Sequence, residues 1–156
     1  MQLELRHFGK RLNNLNQLKF IIKNTILFIL YGISYYCIEI IYRNYSHWSM
    51  FILGGICALI IGAINERISW DVPIWKQIAI GEIVVLSLEF ITGCIINIWL
   101  KWNIWNYSSL PFNLFGQICL PFAIIWIPLI FAVIILDDYL RYWWFKEEKP
   151  HYYLWR

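Results

Sequence analysis

No nucleotide-binding or hydrolytic signature occurs in this chain: G-x-x-x-x-G-K-[ST], H-E-x-x-H and G-x-S-x-G are all missing. Its three histidines, His7, His47 and His151, lie outside the apolar segments and far apart, which leaves a Ser/His or metal-dependent active site without support. The four cysteines, Cys37, Cys57, Cys94 and Cys119, show neither C-x-x-C nor Cys/His spacing. Neither a disulfide framework nor a zinc site is indicated, and they read as small apolar core residues. The chain is therefore not expected to be an enzyme or to carry a metal or cofactor. Charged residues make up only 15% of the sequence, and the net charge of +3 sits on the flanks of apolar runs. That pattern suits anionic lipid headgroups rather than nucleic acid. Internal repeats, low-complexity tracts and linkers are also missing.

What is present in abundance is apolar surface. Hydrophobic residues account for 60% of the 156 residues and gather into runs at 25–42, 48–64, 74–100 and 118–136. Each is close to or above the ~20 residues needed to cross a ~30 Å hydrocarbon core. Of the 13 Lys and Arg residues, five precede the first run: Arg6, Lys10, Arg11, Lys19 and Lys23. Arg67 and Lys76 lie beside the second connection, and Arg141, Lys146, Lys149 and Arg156 follow the last run. Only Arg43 and Lys101 remain for the other two connections. Cytoplasmic segments collect Lys and Arg, which predicts four spans with both termini cytoplasmic. Four spans use about half of the chain and leave no room for a soluble domain. The expected fold is an all-α integral membrane protein of one domain, residues 1–156, in a cell membrane. The first run follows a long basic segment and precedes no small-x-small cleavage site, which predicts its retention as a signal anchor.

Residues 3–22 read as an amphipathic helix. Leu5, Phe8, Leu12, Leu15 and Ile22 recur at helical spacing, with Arg6, Lys10, Asn13, Asn14 and Gln17 between them. Residues 1–24 are thus expected to form an interfacial helix on the cytoplasmic leaflet, the alternative being a partner-binding helix. Gly54, Ala58 and Gly62 form a small-residue stripe for close helix packing. Trp70-Asp71-Val72-Pro73 is a turn, with Pro73 placed to open the third helix. That helix is long enough to require tilt, kink or protrusion. Pro121 and Pro128 share a face of the fourth run and free carbonyls near Gln117 and Ile124. Residues 137–156, rich in aromatics and charge, are expected to form an amphipathic tail folded back on the cytoplasmic surface.

Two groups of residues could carry chemistry. Glu39, Glu82 and Glu89 fall at membrane depth, and an ionised carboxylate in lipid is costly unless it meets water, a cation or a partner. Glu82 and Glu89, seven residues apart, lie on one face about 10.5 Å from each other. They read either as a cation or proton path, or as acids bonded to Asn97, Asn65, Ser87, Tyr or Trp. The second group is the loop at 99–117, where Trp105, Tyr107, Ser108, Asn113 and Gln117 combine rings, hydroxyls and amides. Such a surface suits headgroups, glycans or a small polar ligand, or else forms a plain aromatic belt.

The stretch Leu88-Glu89-Phe90-Ile91-Thr92-Gly93, then Trp105-Asn106-Tyr107-Ser108-Ser109-x-Pro111-x-Asn113-x-x-Gly116-Gln117-Ile118-Cys119-Leu120 and Trp126, resembles a family of small bacterial and bacteriophage membrane proteins. The family is described as "putative ABC-transporter type IV" or "putative ABC transporter permease". Gly32, Glu39 and Gly62 resemble its early positions. Its R-G-F and G-P-x-x-P-x-Y-G elements are replaced here by residues 47–55, and Asn106 stands where the family often has Asp. The resemblance implies a polytopic membrane protein and a permease-like transport subunit. Any ATP-driven role requires a separate ATPase subunit, and four spans imply a homo-oligomer or larger membrane complex. The competing expectation is an accessory, regulatory or phage-encoded membrane protein that binds partners and transports nothing; a lipid-modifying enzyme ranks third.

Overall fold

The computed structural model describes residues 2–155, with side chains from Arg11 onward. Among them there is no β-strand, only one isolated bridge between Leu114 and Ile118. The helices are α1 (Gln2–Arg43), α2 (Trp48–Gly62), α3 (Ile64–Arg67), α4 (Ile74–Gly93), continued by a π-helical segment (Cys94–Trp99), and α5 (Leu120–Phe145). Three stretches, Arg11–Arg43, Ile74–Trp99 and Leu120–Phe145, are long and apolar enough to cross a membrane.

α1 is one helix of 42 residues, about 63 Å long. The junction expected near Asn24 is not a break, since no proline interrupts this stretch and the Asn24 amide donates to the Phe20 carbonyl one turn back at 3.0 Å. Leu12, Leu15 and Ile22 are exposed, as are Asn13, Asn14 and Gln17 between them. The side chains of Leu5, Arg6, Phe8 and Lys10 lie outside the described residues. α2 holds 15 residues, about 22 Å, which is short of a full crossing. Ala63, with ψ 1°, departs from helical winding although its N–H still donates to Leu59 O at 3.0 Å, and α3 carries the chain on to Arg67. The long third helix changes winding instead of running to its end as an α-helix: Leu100 N–H reaches back five residues to Ile95 O. α5 runs past Asp137 and Asp138 to Phe145, where Lys146 adopts a left-handed conformation. The tail proper starts there.

α2 packs against α1, α4 and α5, and α4 packs against α5. The small residues of α2 make this possible. A Cβ on Gly54 would lie 2.5 Å from Tyr35 of α1, and one on Gly62 would strike the Asp137 carboxyl of α5. Ala58 lies in a cluster with Leu27, Tyr31 and Leu140. The main core joins Ile61, Ile64, Ile74, Val85, Ile130 and Ile134. The connections at 43–47 and 100–119 meet at one end of the bundle, where the rings of His47 and Trp102 are 5.4 Å apart. The turn at 63–73 and the tail meet at the other. There the Ile74 N–H donates to Tyr153 O at 2.9 Å, and the Trp70 and His151 rings stack at 5.0 Å.

Candidate functional site

Where α1 and α5 face each other they touch at only a few rungs: Tyr31 on Asp137, Tyr35 stacked on Trp126, and Tyr42 edge-on to Phe122. Between the rungs lies a cavity of about 200 Å³, walled by Tyr31, Tyr35, Leu53, Cys57, Ala58, Val85, Trp126, Ile130 and Val133, with Glu89 as its one acidic residue. A second cavity of about 160 Å³ adjoins it toward the loop end and shares Tyr35, Ile38, Trp126 and Leu129. Exposed residues on both helices, Ile38 and Ile125 among them, border this groove, so it opens sideways.

Glu89 is 3% exposed and sits on the buried face of α4, which repeats through Ile74, Gln77, Gly81, Val85 and Glu89 at steps of three and four. One carboxylate oxygen accepts from the Tyr107 hydroxyl at 3.2 Å, the other from the Trp126 indole N–H at 3.0 Å. Burial first, and then the Glu89 charge, hold the Tyr107 hydroxyl well above the ordinary phenol range, so it stays a donor. Glu39 is also buried, but it is already paired with Arg43 at 2.6 Å and accepts from Ser46 Oγ at 2.6 Å. Glu82 is half-buried. Both its oxygens are shielded and have no hydrogen-bond partner among the described residues. Among those residues no group of three or more His, Cys, Asp or Glu is placed to hold a metal ion.

The outer-loop candidates divide. Tyr107 alone reaches an intramembrane acid. Trp105 is buried and donates to Gln117 O at 2.9 Å; α5 starts only at Leu120, so Pro121 stands in its first turn and takes no helical bond from that carbonyl. Gln117 Oε1 accepts from Asn97 at 2.9 Å, and Asn97 Oδ1 accepts from Ile104 N–H at 2.7 Å. Asn97 belongs to the π-helical segment, so this chain of bonds ties the loop to it. Ser108 donates to Asn106 Oδ1 at 2.6 Å, and Asn113 donates to Leu110 O at 2.8 Å and accepts from Gly116 N–H at 3.1 Å. Gly116 has φ +68, and a Cβ there would press on Ser108 and Asn106, so the turn needs glycine.

A second polar centre was not expected from the sequence. Asp137, Asp138 and Arg141 of α5 are all buried, in a stretch that reads as solvated tail. Arg141 Nε donates to Asp137, which also accepts from Tyr31, while Asp138 accepts from Asn65 at 2.6 Å and from Tyr152 at 2.8 Å. The spacing Asp137-x-x-x-Arg141 is a one-turn ion pair, and it was the available signal.

Comparison with family models gives a match over residues 26–149, to the model described as "Putative ABC-transporter type IV". The comparison with curated proteins gives no match, nor does that with solved structures. The matched region contains every acid of the groove and both donors to Glu89, and on this match the chain belongs to the putative ABC-transporter type IV family.

Proposed function

We propose that the chain is the membrane-embedded subunit of a transport system, spanning a cell membrane four times with both termini cytoplasmic and contacting its substrate at Glu89. The observation that carries this reading is the position of Glu89, a buried carboxylate in the wall of an otherwise apolar, sideways-opening cavity. Intramembrane acids concentrate on transport paths because lipid offers them no solvation. The lining favours a substrate with an apolar body and one cationic or hydrogen-bond-donating group, entering from the bilayer between α1 and α5. Family membership supports a transport-related role. With no nucleotide-binding motif present, ATP-driven work would come from a separate ATPase subunit. In this reading α2 crosses together with α3, and the exposed start of α1 meets headgroups or a partner.

Binding of a lipophilic cation tests the assignment. With the purified chain in lipid nanodiscs, ethidium polarisation should give saturable binding that Glu89→Gln weakens at least tenfold, a loss of about 1.4 kcal/mol. Equal binding by wild type and Glu89→Gln would sink it. The second reading is an accessory protein that transports nothing, and what favours it is that Tyr107 and Trp126 already occupy both Glu89 oxygens. That reading predicts no saturable binding.

A further inference from the structure

At the opposite end of the bundle from the outer loop, a separate cleft of about 160 Å³ lies between α3, the turn at 68–73, the end of α5 and the tail. Its walls are Asn65, Glu66, Trp70, Asp138, Arg141, Glu147 and Glu148. Four carboxyl groups therefore face one small space. The nearby cations do not fill it. Arg141 directs Nε to Asp137, outside the cleft, and its Nη1 stays 3.9 Å from Glu147; Lys23 sits on the other oxygen of Glu147.

An independent observation points to a ligand. Asn65 is 7% exposed, and its Oδ1 is a buried acceptor with no hydrogen-bond partner among the described residues. The Asn65 Nδ2 donates to Asp138 at 2.6 Å, which fixes the amide so that oxygen, not nitrogen, is the free group. A buried acceptor left open needs a donor. One water needs only ~10–15 Å³, so a single water leaves most of the space unfilled.

No group of three or more His, Cys, Asp or Glu is placed to hold a metal among the described residues. A ligand that carries N–H donors matches an open amide oxygen among acidic residues better than a bare ion. Trp70 adds a ring of the kind that attracts organic cations. We propose that this cleft binds a small organic cation bearing several N–H donors, a primary ammonium or a guanidinium group. The ligand would donate to Asn65 Oδ1 and face Trp70.

Isothermal titration of the full chain in lipid nanodiscs tests this with methylguanidinium, butylamine, tetramethylammonium and Mg²⁺. Methylguanidinium and butylamine should bind saturably. Tetramethylammonium has the charge but no N–H donor, and it and Mg²⁺ should bind at least tenfold more weakly. Glu66→Gln and Trp70→Leu should each weaken methylguanidinium binding tenfold or more, and should do so equally in a Glu89→Gln background, where the groove has lost its carboxylate. Glu66 is exposed, so its variant keeps the test valid if Trp70→Leu fails to fold. No saturable binding of either N–H cation, equal binding of tetramethylammonium or Mg²⁺, or wild-type affinity in folded Glu66→Gln would overturn the proposal. Loss of ethidium binding in Glu89→Gln bears only on the groove, so the two sites fail separately.

Discussion

Asp137 has no exposed surface, and what makes its burial tolerable is Arg141 one turn later and the Tyr31 hydroxyl from α1. A buried pair is poor evidence of net stability, but removing one partner strands the other charge. Asp137→Asn should therefore cost about 3–5 kcal/mol, and replacing both residues with apolar ones should recover much of it. Unfolding in mixed detergent measures both; a cost for Asp137→Asn below that range would mean that Arg141 finds another partner, with Glu147 the nearest candidate. The sequence displayed this pair at i,i+4 spacing, yet hydropathy ends the last run at Leu136 and assigns the pair to solvent. Glu39, Glu82 and Glu89 were legible for the opposite reason, as acids inside apolar runs. Their partners were not, because Tyr107 and Trp126 stand 18 and 37 residues from Glu89 and only the fold brings them there.

α2 is the element on which the other long helices pack, and its small residues set how closely they do so. Ala58 is 7% exposed among Leu27, Tyr31 and Leu140, whereas Ile60 is 43% exposed. Ala58→Leu should destabilise by about 1–3 kcal/mol through overpacking, and Ile60→Leu should change little. Equal thermal stability of the two variants in detergent would remove the packing assignment. The stripe was readable from its period of four. The winding of Cys94–Trp99 was not, because its Asn97 is fixed by Gln117, twenty residues away, and by the Ile104 N–H. The reach of α1 through Asn24 was hidden as well: a change from mixed polarity to an apolar run looks like a boundary, although nothing in the backbone requires one.

Across the whole molecule, exposed tryptophans form two girdles, Trp48, Trp99 and Trp102 at the loop end and Trp143, Trp144 and Trp155 at the tail end. Such rings sit at headgroup level, so the girdles mark where the two faces of a bilayer would lie. From Trp48 to Arg67, α2 and α3 cover about 28 Å if helical throughout, close to a hydrocarbon core of ~30 Å. The geometry joins 43–47 to 100–119 at one end, since Arg43 donates to Ile104 O at 3.4 Å, and joins 63–73 to the tail at the other. Which end faces the cytoplasm rests on charge alone: eleven of the 13 Lys and Arg flank the tail end, and only Arg43 and Lys101 flank the loop end. Single cysteines placed at Asn13, Ser109 and Lys149, all exposed, in a chain stripped of its native cysteines, decide it. A membrane-impermeant maleimide on intact cells should label position 109 and reach 13 and 149 only after permeabilisation. The reverse pattern would invert the bundle, placing the Asn65–Asp138 cleft outside. Labelling of 13 and 109 from the same side would mean that α1 does not cross, and the four-span reading would fall with it.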